Sequence, residues 1–395
     1  MHVIIPTAAM LVVLTASSMA NFSIAVMAPE AAPDIGVSVT DIGVFTAIVY
    51  GVAMFSGTAT GTFVSRFGAI RVSQFTALSA TASMGVIVLA SPAAAVVSAI
   101  LLGLAYGPYN PASGHILAGV SAPRWRPLIF SIKQVGVPLG GALAGAAIPP
   151  LIILFGWRVA ALAVGLVTAV VTLALQPLRK TLDADRSPGR LWKGVSIRQP
   201  VRLVLVHPTL RKLAIAGFAY AGCQLSVGFF FVVYLTESLH MPLVQAGLVF
   251  ALVQTGGVAG RIFWGLVAGS WLSTRALLAL LGLLIAVCLL ATAAFTADWP
   301  LSVIVAIGFV LGASSYGWVG IYLSEVASLA PGGRVGDATG GAQFVHFSGA
   351  AAIPPAFGAI VALLDSFAAA LIVIAAVAAL AGLYVALPGE KERAR

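Results

Sequence analysis

Three basic side chains lie inside stretches of sequence that are otherwise apolar: Lys133, Arg261 and His346. A charge inside a bilayer is costly, so an ionisable residue within an apolar span usually serves a function. The acidic side chains instead keep to the ends of these stretches and to the connections between them. Buried positive charge of this kind favours an anionic ligand. We expect Arg261 to be its main anchor, with help from Lys133.

Each basic residue also has a purely structural interpretation. Arg261 lies eight residues before Gly269, the expected end of its helix, and therefore about 12 Å deep. An ion pair with Glu325 could hold it there. Lys133 could extend its ammonium group to the membrane surface, and His346 could form a hydrogen bond to a neighbouring helix.

Amide and aromatic side chains in the same stretches could complete a pocket, although each could equally serve helix packing. The candidates are Asn21, Tyr106, Tyr109, Asn110, Gln224, Tyr316 and Trp318. Because imidazole titrates near neutral pH, His346 is the first candidate for a coupled proton. Glu30 and Asp41, at the ends of the first two spans, are the others.

Other chemistry finds no support in the sequence. The five histidines are scattered, no Cys–His spacing fits a metal, and we expect no cofactor. There is no nucleophile–base pair, so we do not expect an enzyme. The net charge of +9 is spread over the loops of one face, which argues against nucleic acid as a partner.

Twelve membrane-spanning helices must position these side chains. Sixty per cent of the residues are hydrophobic and 8% are charged, against about 25% charged in soluble domains, so the chain is an integral membrane protein. A span needs about 20 residues. We place the spans near 4–28, 41–64, 70–90, 93–119, 127–153, 157–177, 212–236, 243–268, 274–296, 300–324, 338–363 and 367–387. The fold class is all-α.

Basic residues occur in every second connection, which indicates the orientation. They are Arg66, Arg71, Arg124, Arg126, the cluster from Arg179 to Lys212, Arg275, Arg334, Lys391, Arg393 and Arg395. Because cytoplasmic loops retain Lys and Arg, both termini are expected in the cytoplasm. We expect a multi-pass protein of the cell membrane, most simply a bacterial inner membrane.

The chain divides into two halves that resemble repeats. We expect a six-helix bundle over 1–177, a basic cytoplasmic linker over 178–211, a second bundle over 212–388 and a tail over 389–395. Gly61 precedes Arg71 by ten residues, as Gly265 precedes Arg275, and Lys133 corresponds to His346. Such duplication is common in secondary transporters. By this correspondence Lys133, Arg261 and His346 could converge between the halves.

Glycine and proline predict two local features. Pro108 and Pro111 should interrupt the fourth helix, since proline lacks the N–H that a helix interior needs. Small residues allow close helix packing in lipid. The spaced glycines are Gly57 and Gly61, and Gly136, Gly140 and Gly141.

Several segments together resemble the major facilitator superfamily. They are the loop Gly61–Arg71, the run Gly136–Gly141, the tripeptide Gly156–Arg158 and the segment Leu323–Arg334. The resemblance implies two six-helix bundles related by a pseudo-two-fold axis. It also implies an inner gate of charged residues, here Arg66, Arg71, Arg275, Glu325 and Arg334. The family usually has Asp where this chain has Ser65, which removes one gate partner.

Within this family, an arginine in the eighth helix and a basic residue in the eleventh resemble carboxylate carriers such as the monocarboxylate and oxalate–formate transporters. The monocarboxylate carriers have Asp four residues before the arginine, where this chain has Gly257. We expect a monomeric secondary transporter of a small organic anion that works by alternating access, and coupling to protons is one option for its energy source. The alternatives are an exporter of drugs or metabolites, and a membrane sensor that transports nothing.

Overall fold

Apolar helices account for nearly the whole chain. The computed structural model describes residues 3–122, 125–184, 186–187, 197–268, 272–331 and 334–387, and within these ranges it contains sixteen α-helices and no β-sheet. The first eight are α1 Ile4–Ile35, α2 Ile42–Phe67, α3 Ala69–Ile87, α4 Pro92–Tyr106, α5 Tyr109–Val120, α6 Arg126–Gln134, α7 Gly136–Phe155 and α8 Trp157–Ala174. The others are α9 Arg179–Leu182, α10 Arg198–Val206, α11 Pro208–Glu237, α12 Leu243–Val267, α13 Thr274–Ala293, α14 Leu301–Ser328, α15 Val335–Leu364 and α16 Phe367–Ala386.

Helices occupy all twelve predicted spans. Across the described ranges, eleven helical segments are long and apolar enough to cross a membrane. The predicted third span corresponds to α3, which falls outside that set; its 19 residues give a length of about 28 Å, close to the thickness of a bilayer core. The all-α membrane fold is therefore confirmed. The pseudo-two-fold relation of the halves stays a prediction.

The helix ends differ from the predicted ones in two places. Helix α1 continues past Ala28 to Ile35 and stops at Gly36, which has a φ of +79° and can adopt the left-handed conformation. Helix α11 begins at Pro208, four residues before the predicted start. It begins early because the ring of His207 accepts a hydrogen bond from the N–H of Leu210 at 3.4 Å.

Two of the predicted spans are broken helices. The break between α4 and α5 falls at Gly107 and Pro108, as the prolines predicted. The break between α6 and α7 falls at Val135 and was not predicted. Both breaks matter for the site, because Tyr109 and Asn110 follow the first and Lys133 precedes the second.

The chain folds into two compact units. The first contains the described residues of Met1–Val195 together with Pro242–Ala251; the second contains those of Ser196–Met241 and Leu252–Arg395. In the first unit α1 packs on α7, and α3 packs on α4 and α8. In the second, α11 packs on α15, and α13 packs on α14 and α16. The predicted boundaries at 177 and 211 stay predictions, and the predicted tail 389–395 lies outside the described residues.

Glycines bring the helices of the first unit close together. A Cβ on Gly140 would lie 2.4 Å from the carbonyl oxygen of Thr15 in α1, and one on Gly57 would lie 3.1 Å from the carbonyl oxygen of Gly107. These glycines therefore serve close packing, as predicted. Gly61 does not, because nothing lies within 4 Å of the position of its Cβ.

The beginning of the predicted linker is attached to the first unit. Asp183, which follows α9, is buried, and its carboxylate accepts hydrogen bonds from the backbone N–H groups of Ile70 at 2.7 Å and Arg71 at 3.2 Å. It thereby caps the N-terminus of α3. The N–H of Ser187 also donates to the carbonyl oxygen of Ser65 at 2.7 Å. An acidic residue from the linker thus lies at the loop where the family's usual Asp is replaced by Ser65.

Candidate functional site

Lys133 is the buried cation of the first unit. Its side chain is only 2% exposed, which disagrees with the interpretation that its ammonium reaches the membrane surface. The ammonium donates to Asn110 Oδ1 at 3.0 Å and to Ser113 Oγ at 3.2 Å. It also lies 5.2 Å from the ring centroid of Tyr109 and 5.7 Å from that of Phe130, within cation–π range.

The break after α4 positions the partners of Lys133. Helix α5 restarts at Tyr109, so Tyr109, Asn110 and Ser113 fall within its first five residues. The hydroxyl of Tyr109 donates to the backbone carbonyl of Met10, which fixes α5 against α1. The ammonium of Lys133 therefore sits among neutral acceptors and aromatic rings that two helices hold in place.

A second polar group of the first unit lies around Asn21. The amide nitrogen of Asn21 donates to the hydroxyl of Tyr50 at 3.1 Å. The rings of Tyr50 and Tyr106 meet edge to face, with centroids 5.5 Å apart. Tyr106 ends α4 and stands three residues before Tyr109. Of the predicted site residues, Asn21 and Tyr106 thus share contacts with Tyr50, while Tyr109 and Asn110 contact Lys133.

Arg261 and His346 lie near each other in the second unit. Arg261 is half-buried on α12, six residues before the helix ends at Val267; the predicted end at Gly269 lies outside the described residues. The charge of its guanidinium is close enough to act on the imidazole of His346, on α15. The ring of His346 packs on Trp318 with centroids 5.3 Å apart. The predicted basic residues Arg261 and His346 therefore lie in the same environment.

Trp318 and Tyr316 each bind a buried amide of the second unit. Trp318 is fully buried on α14, and its indole N–H donates to Gln224 Oε1 of α11 at 3.2 Å. Tyr316 is also fully buried, and its hydroxyl accepts a hydrogen bond from Gln254 Nε2 of α12 at 2.8 Å. The predicted residues Gln224, Tyr316 and Trp318 thus belong to two hydrogen-bonded pairs near the middle of helices α11, α12 and α14.

Close contact of α12 with α14 fixes the position of Arg261. A Cβ on Gly260 would lie 2.1 Å from the carbonyl oxygen of Ala313, and one on Gly256 would lie 2.2 Å from that of Phe309. Only glycine allows the two backbones to approach this closely. Arg261, the next residue on α12, is therefore held beside α14.

The five predicted inner-gate residues have partners within their own units. Arg275 Nε lies 3.9 Å from Glu325 Oε1, so the structure supports this pair. Arg334 instead pairs with Asp337, at 2.8 Å. In the first unit, Arg71 donates to Gln74 Oε1 at 3.0 Å, and Arg66 lies over the ring of Phe67. The gate residues thus have local partners.

The other proton-coupling candidates, Glu30 and Asp41, are exposed near helix ends. Asp41 Oδ2 accepts a hydrogen bond from the backbone N–H of Ser38 at 2.9 Å, which closes a capping box at the short 3₁₀ helix Val39–Asp41. This contact gives Asp41 a structural role.

His346, in contrast, lies beside another predicted site residue, Arg261, and packs on the ring of Trp318.

An apolar cavity of about 230 Å³ lies elsewhere in the first unit, between α1, α2 and the start of α4. Of the predicted site residues only Asp41 lines it, and its walls are otherwise almost wholly aliphatic and aromatic. It does not suit a charged ligand.

Sequence reasoning missed four polar residues near these groups: Tyr50, Ser113, Asp183 and Gln254. Ser113 follows Asn110 by three residues on the same helix, and this helical spacing could have identified it. Gln254 precedes Arg261 by seven residues, again on one helix face, and is a rare amide within its span. Tyr50 and Asp183 act across elements, and their own surroundings in the sequence carry no such signal.

The helical fold and the polar groups within apolar helices are typical of a membrane transporter. The family model of the Major Facilitator Superfamily matches residues 10–354. The chain therefore belongs to the Major Facilitator Superfamily, and it is a multi-pass membrane protein.

Known proteins agree with this assignment. The chain is 24% identical over 260 residues to the hexuronate transporter of Bacillus subtilis (strain 168). The match covers 64% of this chain and 60% of that protein. The crystal structure of a mutant peptide transporter POT has a TM-score of 0.75 at 14% identity, covering 96% of this chain and 93% of the other. The same mutant in complex with sulfate has a TM-score of 0.74 at 16% identity, with the same coverage. At these identities the two structures show the fold alone.

Proposed function

We propose that this protein is a secondary transporter that moves a small, carboxylate-bearing organic anion by alternating access. The main support for this proposal is the environment of the Lys133 side chain. Its buried ammonium is held by the neutral oxygens of Asn110 and Ser113 and by aromatic rings. A carboxylate can add a short, charge-assisted hydrogen bond to an ammonium held in this way.

The second unit supports the same choice of substrate. Arg261 and His346 lie close enough for their charges to interact, and Arg261 can bind a carboxylate with two parallel hydrogen bonds. The hexuronate transporter of Bacillus subtilis is named for a substrate of this chemical class. A hexuronate is a carboxylate, which agrees with a site built on cations.

An exporter of cationic compounds fits less well. Such a carrier needs a buried acid within its spans. Among the described residues, the fully buried side chains of charged type are Lys133 and Asp183. The carboxylate of Asp183 is used at the N-terminus of α3, outside the apolar part of the helices.

Uptake of labelled carboxylates into proteoliposomes, with and without a pH gradient, tests the proposal. The panel contains D-glucuronate, D-galacturonate, oxalate and lactate. Arg261→Ala should lower the apparent affinity for the transported acid about 10- to 100-fold, which corresponds to the loss of a charged hydrogen bond. Arg261→Lys should also fail, since lysine cannot make the two-pronged contact.

Arg158→Ala is the matched control. Arg158 is an exposed arginine that pairs with Asp34 at the beginning of α8, away from the candidate residues. Uptake by this variant should stay within about twofold of wild type, because exposed ion pairs contribute little. Normal transport by Arg261→Ala would show that the anion proposal is wrong.

A further inference from the structure

The amide of Asn21 is satisfied on one side only. Asn21 is 1% exposed at the middle of α1, and its nitrogen donates to Tyr50. Its carbonyl oxygen Oδ1 has no hydrogen-bond partner within the part of the chain that the structure describes. Burying an amide oxygen without a partner costs free energy, so such groups are uncommon and call for an explanation.

The second unit contains the same arrangement on other helices. Gln254 is fully buried on α12, and its nitrogen donates to the hydroxyl of Tyr316. Its carbonyl oxygen Oε1 likewise lacks a partner among the described residues. In both units the amide nitrogen donates to a tyrosine hydroxyl, and the carbonyl oxygen is the open end of the amide.

Each amide belongs to the same unit as one of the proposed anion-binding cations. Asn21 binds Tyr50, whose ring packs on Tyr106 of α4, and Lys133 lies over the ring of Tyr109 at the start of α5. Gln254 precedes Arg261 by seven residues, which places the two on one face of α12 at about 10 Å along its axis.

A carbonyl oxygen can only accept hydrogen bonds, so its partner must be a donor. The carboxylate of a transported anion cannot supply one, since an ionised carboxylate is itself an acceptor. An ammonium group could, but Lys133 and Arg261 would repel it. A hydroxyl group donates without adding positive charge, and it is therefore the donor that suits both the amides and the cations.

We infer that Asn21 Oδ1 and Gln254 Oε1 accept hydrogen bonds from hydroxyl groups of the transported anion, so that the substrate is a polyhydroxylated carboxylate. This inference rests on the proposed function and specifies its substrate class. A site with buried acceptors discriminates strongly against an analogue that lacks the hydroxyl groups, because the acceptors then stay unpaired. Simple carboxylates should therefore bind poorly.

Ligand-induced thermal stabilisation of the purified protein tests the inference with five probes. D-Glucuronate and D-gluconate carry both a carboxylate and hydroxyl groups. Cyclohexanecarboxylate and hexanoate carry the carboxylate alone, and D-glucose carries hydroxyl groups without the charge. We expect D-glucuronate or D-gluconate to stabilise the protein at concentrations at least about tenfold below those of the other three, since each lost hydrogen bond is worth about that factor.

The outcomes separate the two claims. Equal or stronger stabilisation by cyclohexanecarboxylate or hexanoate overturns the hydroxyl inference and leaves the anion proposal intact. Stabilisation by D-glucose equal to that by D-glucuronate overturns the anion proposal and leaves the hydroxyl inference intact. A protein that none of the five probes stabilises contradicts both.

Two near-isosteric variants assign the effect to the named residues. Asn21→Leu and Gln254→Met should each reduce the affinity for the hydroxylated acids about tenfold and leave that for cyclohexanecarboxylate unchanged. Ser83→Ala is the matched control, because it removes a buried bond between α3 and Ser98 of α4 away from the site. It should lower the melting temperature of the empty protein without changing the preference for hydroxylated acids. An equal loss for both kinds of acid in Asn21→Leu would assign that residue a structural role only.

Discussion

At the scale of the residue, Gly257 shows why this chain departs from the monocarboxylate carriers that it resembles. A Cβ at Gly257 would lie 3.1 Å from three carbon atoms of the Tyr316 side chain. An aspartate four residues before Arg261 would therefore crowd the fully buried side chain of Tyr316, which would have to shift to admit it. Without that carboxylate, His346 is the titratable candidate beside Arg261.

We predict that His346 gives transport its pH dependence. The protonated imidazole adds positive charge next to Arg261 and so favours an anion, which means that uptake should fall as pH rises and the imidazole loses its proton. His346→Gln should flatten this profile in proteoliposome uptake while counterflow exchange continues.

His240→Asn is the control for this prediction. His240 is exposed and has a φ of +51°, a conformation that asparagine tolerates. Its pH profile should match that of wild type. A profile that His346→Gln leaves unchanged would place the coupling on another group, or on the substrate.

The sequence was sufficient to find the cations but not their partners. Lys133, Arg261 and His346 stood out because apolar surroundings make any ionisable residue conspicuous. Gln254 and Ser113 did not, since a neutral polar residue in a span is common and its importance depends on helix rotation. Which oxygen faces Lys133 is decided by packing between α5 and α6, which no local pattern in the sequence encodes.

At the scale of the element, the crossing of α12 and α14 is the contact that most directly supports the site. Gly260 contacts the backbone of Ala313, and the adjacent Arg261 depends on that approach. We predict that Gly260→Leu destabilises the protein by about 1–3 kcal/mol or more, as overpacking does. The melting temperature in detergent measures the loss.

Gly265→Leu provides the comparison on the same helix. Nothing lies within 4 Å of a Cβ at Gly265, so this substitution should be tolerated. Similar melting temperatures for the two variants would show that the close approach of α12 and α14 does not contribute to stability.

The cap that Asp183 forms on α3 should also contribute to the stability of the protein. Asp183→Ala should cost about 1 kcal/mol of stability, since it removes the acceptor of two backbone N–H groups at a helix start. Asp298→Ala, at an exposed position, is the control and should have no measurable effect. Equal melting temperatures for Asp183→Ala and wild type would contradict the capping role.

Helices were easier to predict than their interruptions. Twenty apolar residues in a row can only be a spanning helix, so each predicted span contains one. The break at Gly107 and Pro108 was predictable because proline cannot complete the hydrogen bonds of a helix. The break at Val135 was missed, although Gly136 and Pro138 follow it and a proline at 138 cannot donate to the carbonyl oxygen of Gln134, four residues earlier. The contact of Asp183 with α3 joins residues more than a hundred positions apart, which local patterns do not reveal.

At the scale of the whole molecule, the alternation of basic loops predicts that α10 faces the cytoplasm. Arg202 on α10 and Ser38 before α2 lie outside the spanning segments, while Cys223 and Cys288 are buried. A membrane-impermeant maleimide should therefore leave the wild-type protein unlabelled in intact cells. Ser38→Cys should be labelled directly, and Arg202→Cys only after the membrane is permeabilised. The reverse pattern would overturn the predicted topology.

The anchoring of Asp183 also determines where the polypeptide can be divided. By position Asp183 and Ser187 belong to the connection between the halves, but by contact they belong to the first unit. If the protein is expressed as two separate pieces, a cut after Leu178 would separate α3 from its cap. A cut after Ser187 would leave the cap and the bond to Ser65 within the first piece. Insertion of a fluorescent reporter or a protease site should follow the same rule, with its junction beyond Ser187.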